Sequence, residues 1–108
     1  MNETESAAVL ELANRFVAAI EARDVDTVRR CYAPQARIWH NVDGKVQSVG
    51  DNIKGVHWIH KVLGGVRYDV KRRLAIPGGF LQEHVLRGTL PGGEAFAMPA
   101  CVVCTVEG

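Results

Sequence analysis

Apolar residues recur at helical spacing along the first part of the chain. Val9, Leu12, Ala13, Phe16, Val17 and Ile20 share one stripe, which predicts a helix from about Ser6 to Ala22 with one buried face. Asp24 is placed to cap a second, short helix carrying Val25, Val28 and Tyr32, and Pro34 ends it. Arg37 to Val42 reads as a strand closed by the Asp43-Gly44 turn. A third helix is expected from about Asp51 to Leu63, with Ile53, Val56, His60 and Leu63 along one side.

Beyond Leu63 the period changes. Val66, Tyr68, Val70, Leu74 and Ile76 alternate with Arg67, Asp69, Lys71 and Arg73, the pattern of a strand with one wet face. Phe80–Leu90 and Glu94–Val106 continue in the same style. The pairs Gly64-Gly65, Gly78-Gly79 and Gly92-Gly93 punctuate these runs at intervals of fourteen residues. Glycine pairs at hairpin spacing predict an antiparallel meander. Helices followed by strands predict an α+β fold, the helices packed on one face of a sheet.

A chain of 108 residues has the size of a single domain, residues 1–108. Its 47% hydrophobic and 23% charged residues are ordinary for a globular protein. Thirteen basic against twelve acidic residues leave a net charge of +1, without the cation density that phosphate backbones require, so no nucleic-acid partner is expected. The longest charge-free run, Ala95–Val106, falls far short of the ~20 apolar residues a bilayer requires, and no membrane partner is expected. The start, Met1-Asn2-Glu3-Thr4-Glu5, has the wrong sign for a signal peptide. Three cysteines in apolar sequence read as reduced thiols, and a cytoplasmic location is expected.

Cys101-Val102-Val103-Cys104 has the spacing of a redox or zinc pair, but it lies in strand-like sequence. Residues three apart on a strand point to opposite faces, so the two sulfurs share neither a bond nor a metal. His57 and His60 share a helix face, yet no Asp, Glu or Cys in the sequence completes a metal site, and none is expected. Lys71-Arg72-Arg73 alternates faces on a strand and reads as a solvated edge. The glycine pairs lack the Lys-Ser/Thr sequel and following helix of a phosphate loop. Ser6 and Ser48, the only serines, fit helix starts rather than a nucleophile.

Several segments together resemble a known family. Asn14-Arg15-Phe16-Val17-Ala18-Ala19-Ile20-Glu21-Ala22-Arg23-Asp24-Val25-Asp26, leading into Cys31-Tyr32-Ala33-Pro34-Gln35-Ala36, resembles the opening of the SnoaL-like and ketosteroid-isomerase-like superfamily, also called nuclear-transport-factor-two-like. Gly50-Asp51-Asn52-Ile53 resembles the start of its third helix. Gln82-Glu83-His84-Val85-Leu86-Arg87-Gly88 and Ala97-Met98-Pro99-Ala100 resemble its sheet. The resemblance implies a cone, in which a strongly curved antiparallel sheet wraps around the N-terminal helices and encloses an apolar pocket. It also implies a homodimer through the outer sheet face. The resemblance further implies a final strand following a turn that would begin at Val106-Glu107-Gly108, so either that strand is absent from this chain or the domain is expected to close differently.

The resemblance places the isomerase base on His40, where the family has aspartate. It places the helix-one tyrosine on Phe16, which has no hydroxyl, and the late-strand aspartic acid on Cys101. In the epoxide-hydrolase pattern the arginine falls on His84 and its neighbouring aspartate on Leu86. Strand alternation puts His40 beside Ile38, and His84 beside Phe80, Gln82 and Leu86. An imidazole suits proton transfer near neutral pH, and the bland alternative for both is a core histidine bonded to backbone.

The expectation is thus a small-molecule pocket protein acting on an apolar, cyclic substrate, as an isomerase, cyclase or hydrolase without a cofactor. His40 is the candidate proton acceptor and His84 the donor to an oxygen. Phe16, Trp39, Asn41, His57, Trp58, Leu86 and Cys101 are candidate substrate contacts. The alternative is a non-catalytic ligand-binding or dimeric interaction module of the same fold.

Overall fold

A computed structural model describes residues 2–39 and 44–106. The order is α1 (Glu3–Glu21), α2 (Val25–Cys31), β1 (Ile38–Trp39), β2 (Val46–Gln47), α3 (Val49–Val62), β3 (Gly64–Ile76), β4 (Gly79–Thr89) and β5 (Ala95–Thr105). Strands β1 and β2 form a short antiparallel hairpin, and β3-β4-β5 form an antiparallel meander. This is the expected α+β cone, with helices against one face of the meander.

Local chemistry explains the helix ends. Asn2, not Ser6, caps α1, its side chain accepting from the Glu5 N–H at 2.8 Å. At the other end, Arg23 N–H donates to Ile20 O and Asp24 N–H to Ala19 O, closing a Schellman motif. Arg23 occupies the left-handed position of that motif at φ 61°, where glycine is usual. The adjacent Asp24 then caps α2, accepting from Thr27 N–H and Thr27 Oγ1. Ser48 caps α3 by accepting from Asp51 N–H, as its position predicts.

Two clusters make the core. Ala19, Ile20, Val28, Ile53 and Val56 pack the three helices together, with Val28 wholly buried. Leu63, Val66 and Leu86 fasten the end of α3 to the sheet. Glu21, at the end of α1, accepts from the Tyr68 N–H at 2.8 Å and so covers the open edge of β3.

The ladder between β3 and β4 is interrupted twice, between Gly64 and Arg67 and between Val70 and Arg72. At the first interruption Gly65 has φ +59°, a conformation L side chains rarely adopt. At the second, His84 opposes Val70, but Gln82 opposes Arg73 rather than Arg72. The extra residue reverses the faces of the residues after it. Leu74, read as core from its alternation, is 42% exposed, and Arg73, read as solvated, is half-buried beside Gln82. The strict alternation expected for this strand therefore holds only as far as Val70.

Candidate functional site around His84

The inward face of β4 carries Phe80, Gln82, His84 and Leu86, all buried. Two of these are polar, and an unpaired polar group at such a depth is costly. Arg73 Nε donates to Gln82 Oε1 at 2.7 Å, and the Gln82 amide nitrogen lies 2.9 Å from His84 Nδ1. The His84 ring rests against Tyr68, with centroids 4.6 Å apart and planes tilted by 36°.

The other ends of these side chains are open. Neither His84 Nε2 nor the Tyr68 hydroxyl has a hydrogen-bond partner among the described residues. No buried side-chain nitrogen or oxygen among those residues lacks a partner, so both atoms reach accessible space. Burial pushes the Tyr68 phenol up to about 12, assisted by the Glu21 carboxylate, so the hydroxyl keeps its proton at neutral pH. Burial, with the Arg73 charge adding to it, holds His84 below its ordinary 6.5 and favours the neutral ring. Two neutral polar groups with open ends thus stand side by side on the inward face, with Gln82 and Arg73 behind His84.

The depressed histidine has a consequence for stability. The unfolded chain binds a proton near pH 6.5 that the folded chain refuses. Stability contributed by neutral His84 is therefore complete above pH 6.5 and is lost as pH falls toward the folded-state value, by at most about 1.4 kcal/mol per pH unit. Urea titrations at stepped pH should show this slope in the wild type and a flatter profile in His84→Gln. Equal slopes would place His84 in water. Asp24 and Asp69, whose carboxyls are lowered by Thr27 and by Lys71 with Arg87 respectively, act in a separate window below 3.8.

Tyr32 adds a second polar group on the helical side. Its hydroxyl donates to Asn52 Oδ1 at 2.8 Å, its ring meets Phe16 edge-on at 5.3 Å, and burial raises its pKa. Cys104 lies close enough to Tyr32 to influence it, and its own thiol is raised by burial. Cys101 is exposed on the opposite face of β5, so the two thiols are separated as strand geometry requires.

The other sequence candidates scatter. His40 and Asn41 lie outside the described residues. Phe16 is half-buried and packs against the helical core cluster. Trp39 and Trp58 are 61% and 63% exposed, and His57 is exposed as well. His57 lines an open cleft of about 470 Å³ with Arg23, Val25, His60 and Lys61, away from His84. There His60 Nε2 meets Ile20 O and Arg23 donates to His60 O, contacts that finish two helix C-termini. Leu86 belongs to the core cluster with Leu63 and Val66. Cys101 lines a second open cleft, of about 390 Å³, with outward-facing Glu83, Val85 and Pro99, and His84 also contributes to its lining, so Cys101 and His84 border one cleft. Among the described residues no group of three or more His, Cys, Asp or Glu is arranged to hold a metal.

The sequence pointed to His84 but not to Arg73, Gln82 and Tyr68 as its company. One signal was present: Arg72 breaks the apolar parity of Val66, Tyr68 and Val70, as an inserted residue would.

Comparison with known proteins agrees with this architecture. A ketosteroid-isomerase-like protein from Catenulispora acidiphila, solved in complex with trimethylamine, superposes with a TM-score of 0.79 at 14% identity, over 91% of this chain and 77% of that one. An epoxide hydrolase of the LEH-like type from M. tuberculosis gives 0.77 at 17% identity, over 95% and 76%. A protein from Shewanella putrefaciens described as a SnoaL-like polyketide cyclase gives 0.77 at 12% identity, over 93% and 80%. At such identities the likeness establishes the fold alone. No curated protein matches the chain. The family profile of the SnoaL-like domain matches residues 13–108, and the chain belongs to that family.

Proposed function

We propose that the inward face of the cone binds a small, mainly apolar molecule through an oxygen that accepts hydrogen bonds from His84 Nε2 and the Tyr68 hydroxyl. The observation that carries this reading is the open Nε2 of a histidine only 7% exposed, since a purely structural histidine would spend both ring nitrogens on the protein. Two neutral donors on one oxygen stabilise charge that develops there, as when a carbonyl becomes an enolate or an epoxide opens. With a base opposite, this is acid–base isomerase, cyclase or hydrolase chemistry without a cofactor, and the family register offers His40 for the base. The polyketide cyclase and epoxide hydrolase among its structural neighbours make cyclic polyketides and epoxides the first substrates to try, beside steroids.

A second reading, a dimeric binding module without catalysis, draws on the outer sheet face. Leu74, Leu81 and Val103 lie in one cross-strand row there, and Leu74 and Val103 are 42% and 67% exposed. An apolar row on the outward face is what a second copy of the chain would cover.

Thermal denaturation with a panel of steroids, aromatic polyketides, terpene epoxides and fatty acids tests the first reading. A ligand at one hundred times its Kd should add ~2.7 kcal/mol of stability. The shift should be confined to one class and disappear in His84→Leu, and turnover of that class should be lost in His40→Ala. Binding without turnover would support the second reading. No shift from any class would remove the small-molecule site.

A further inference from the structure

We infer that Arg73 and Gln82 are positioning residues that hold His84 in a single neutral tautomer, with its proton on Nε2 and therefore directed toward ligand. This rests on the reading of His84 as a donor and adds how that donor is fixed.

The relay runs from the cation inward. A guanidinium donates only, so the Gln82 atom facing Arg73 Nε must be the amide oxygen. The amide NH2 then faces His84 Nδ1, and because it too donates only, Nδ1 must offer its lone pair. The one proton of the neutral ring is left on Nε2, the open nitrogen. Turning the Gln82 amide over would set its NH2 against Arg73 Nε–H and leave two donors facing each other at 2.7 Å.

Arg73 is free for this task. It forms no salt bridge among the described residues, where Asp69 instead pairs with Lys71 and Arg87 on the outer face. Its position depends on the interruption after Val70. An unbroken ladder would set Arg72 opposite Gln82 and turn Arg73 outward. The remaining groups around the ring leave the relay undisturbed: Tyr68 supplies a face, Glu21 is bonded to the Tyr68 backbone, and Ala100 pairs with His84 from β5.

The test is ¹⁵N NMR of the imidazoles in ligand-free protein, with the His84 signals assigned by their loss in His84→Gln. The wild type should show Nδ1 unprotonated and Nε2 protonated at neutral pH, with a titration midpoint below 6.5. In Gln82→Glu the carboxylate accepts where the amide donated, so Nδ1 should gain a proton and the midpoint should rise above 6.5. Arg73→Met should leave a mixture of tautomers, and Arg73→Lys should restore the single form. A structural role alone would lower stability in these variants without exchanging the proton between nitrogens.

A wild-type ring protonated on Nδ1, or a Gln82→Glu midpoint that does not move, would overturn the inference. If Gln82→Glu does not fold, Arg73→Met decides, since an unchanged single tautomer there would remove Arg73 from the relay. Unchanged tautomers or midpoints in the Arg73 and Gln82 variants would remove the relay and leave the proposed binding site standing, whereas a wild-type ring protonated on Nδ1 would remove the Nε2 donor as well.

Discussion

Gly79→Ala is expected to cost about 3 kcal/mol or more, a large share of what holds a domain of this size together. Gly79 opens β4 directly after the Pro77-Gly78 turn and pairs with Thr105 of β5. A Cβ at this position would overlap the Cys104 carbonyl oxygen and sit 2.8 Å from its carbon and 3.1 Å from Thr105 Cα. These are backbone atoms in a paired strand, so no side-chain rotation relieves the clash. The strand itself would have to move, along with the Val106 N–H bond to Gly78 O at 2.7 Å. Gly78→Ala is the control, because Gly78 has φ +83° but open space around it. That variant should lose only the cost of a left-handed residue, about 1–2 kcal/mol. Urea unfolding of both variants separates the causes. A Gly79→Ala penalty no larger than that of Gly78→Ala would mean that β5 does not approach so closely.

Leu86→Ala should destabilise by about 2–5 kcal/mol, whereas Leu86→Met should cost less than about 1.5 kcal/mol. The sequence suggested Leu86 as a ligand contact, on the position where epoxide hydrolases carry an acid. In the structure it is 5% exposed and packs with Leu63 and Val66, against Tyr68 and Phe96. Truncation there leaves a cavity beneath the last turn of α3, and the neighbours cannot all follow it inward. Gly88 narrows the options further, since its Cα already brings β4 close to Leu63 and the Gly64 carbonyl. A pocket-wall leucine would behave differently, with ligand affinity changed and stability nearly intact. A loss below about 1 kcal/mol on urea unfolding would return Leu86 to the pocket.

Both substitutions probe features that alternation and glycine placement foreshadowed only in part. The second and third helices were legible because Asp24 and Ser48 carry their caps in the sequence. The start of the first helix was less so, since Asn2 rather than Ser6 makes the cap. Its end was legible from Asp24 alone, because Arg23 occupies the left-handed position without the glycine that usually marks it. The short β2 strand was missed; two residues are too few to show a period.

The site divides along the same line. The opposite faces of Cys101 and Cys104, and the shared face of Gln82 and His84, follow from the two-residue repeat of a strand. That repeat is local, and any sequence that forms the strand obeys it. The company His84 keeps is another matter. It depends on a single extra residue after Val70, which turns Arg73 inward and Leu74 outward. A bulge is decided by how two strands register against each other, through ladder hydrogen bonds and the side chains the core will accept. The chain alone therefore determined the succession of helices and strands, their caps and the inward histidine. Only the folded sheet decided which cation reaches that histidine, because pairing between distant residues sets which way each side chain faces.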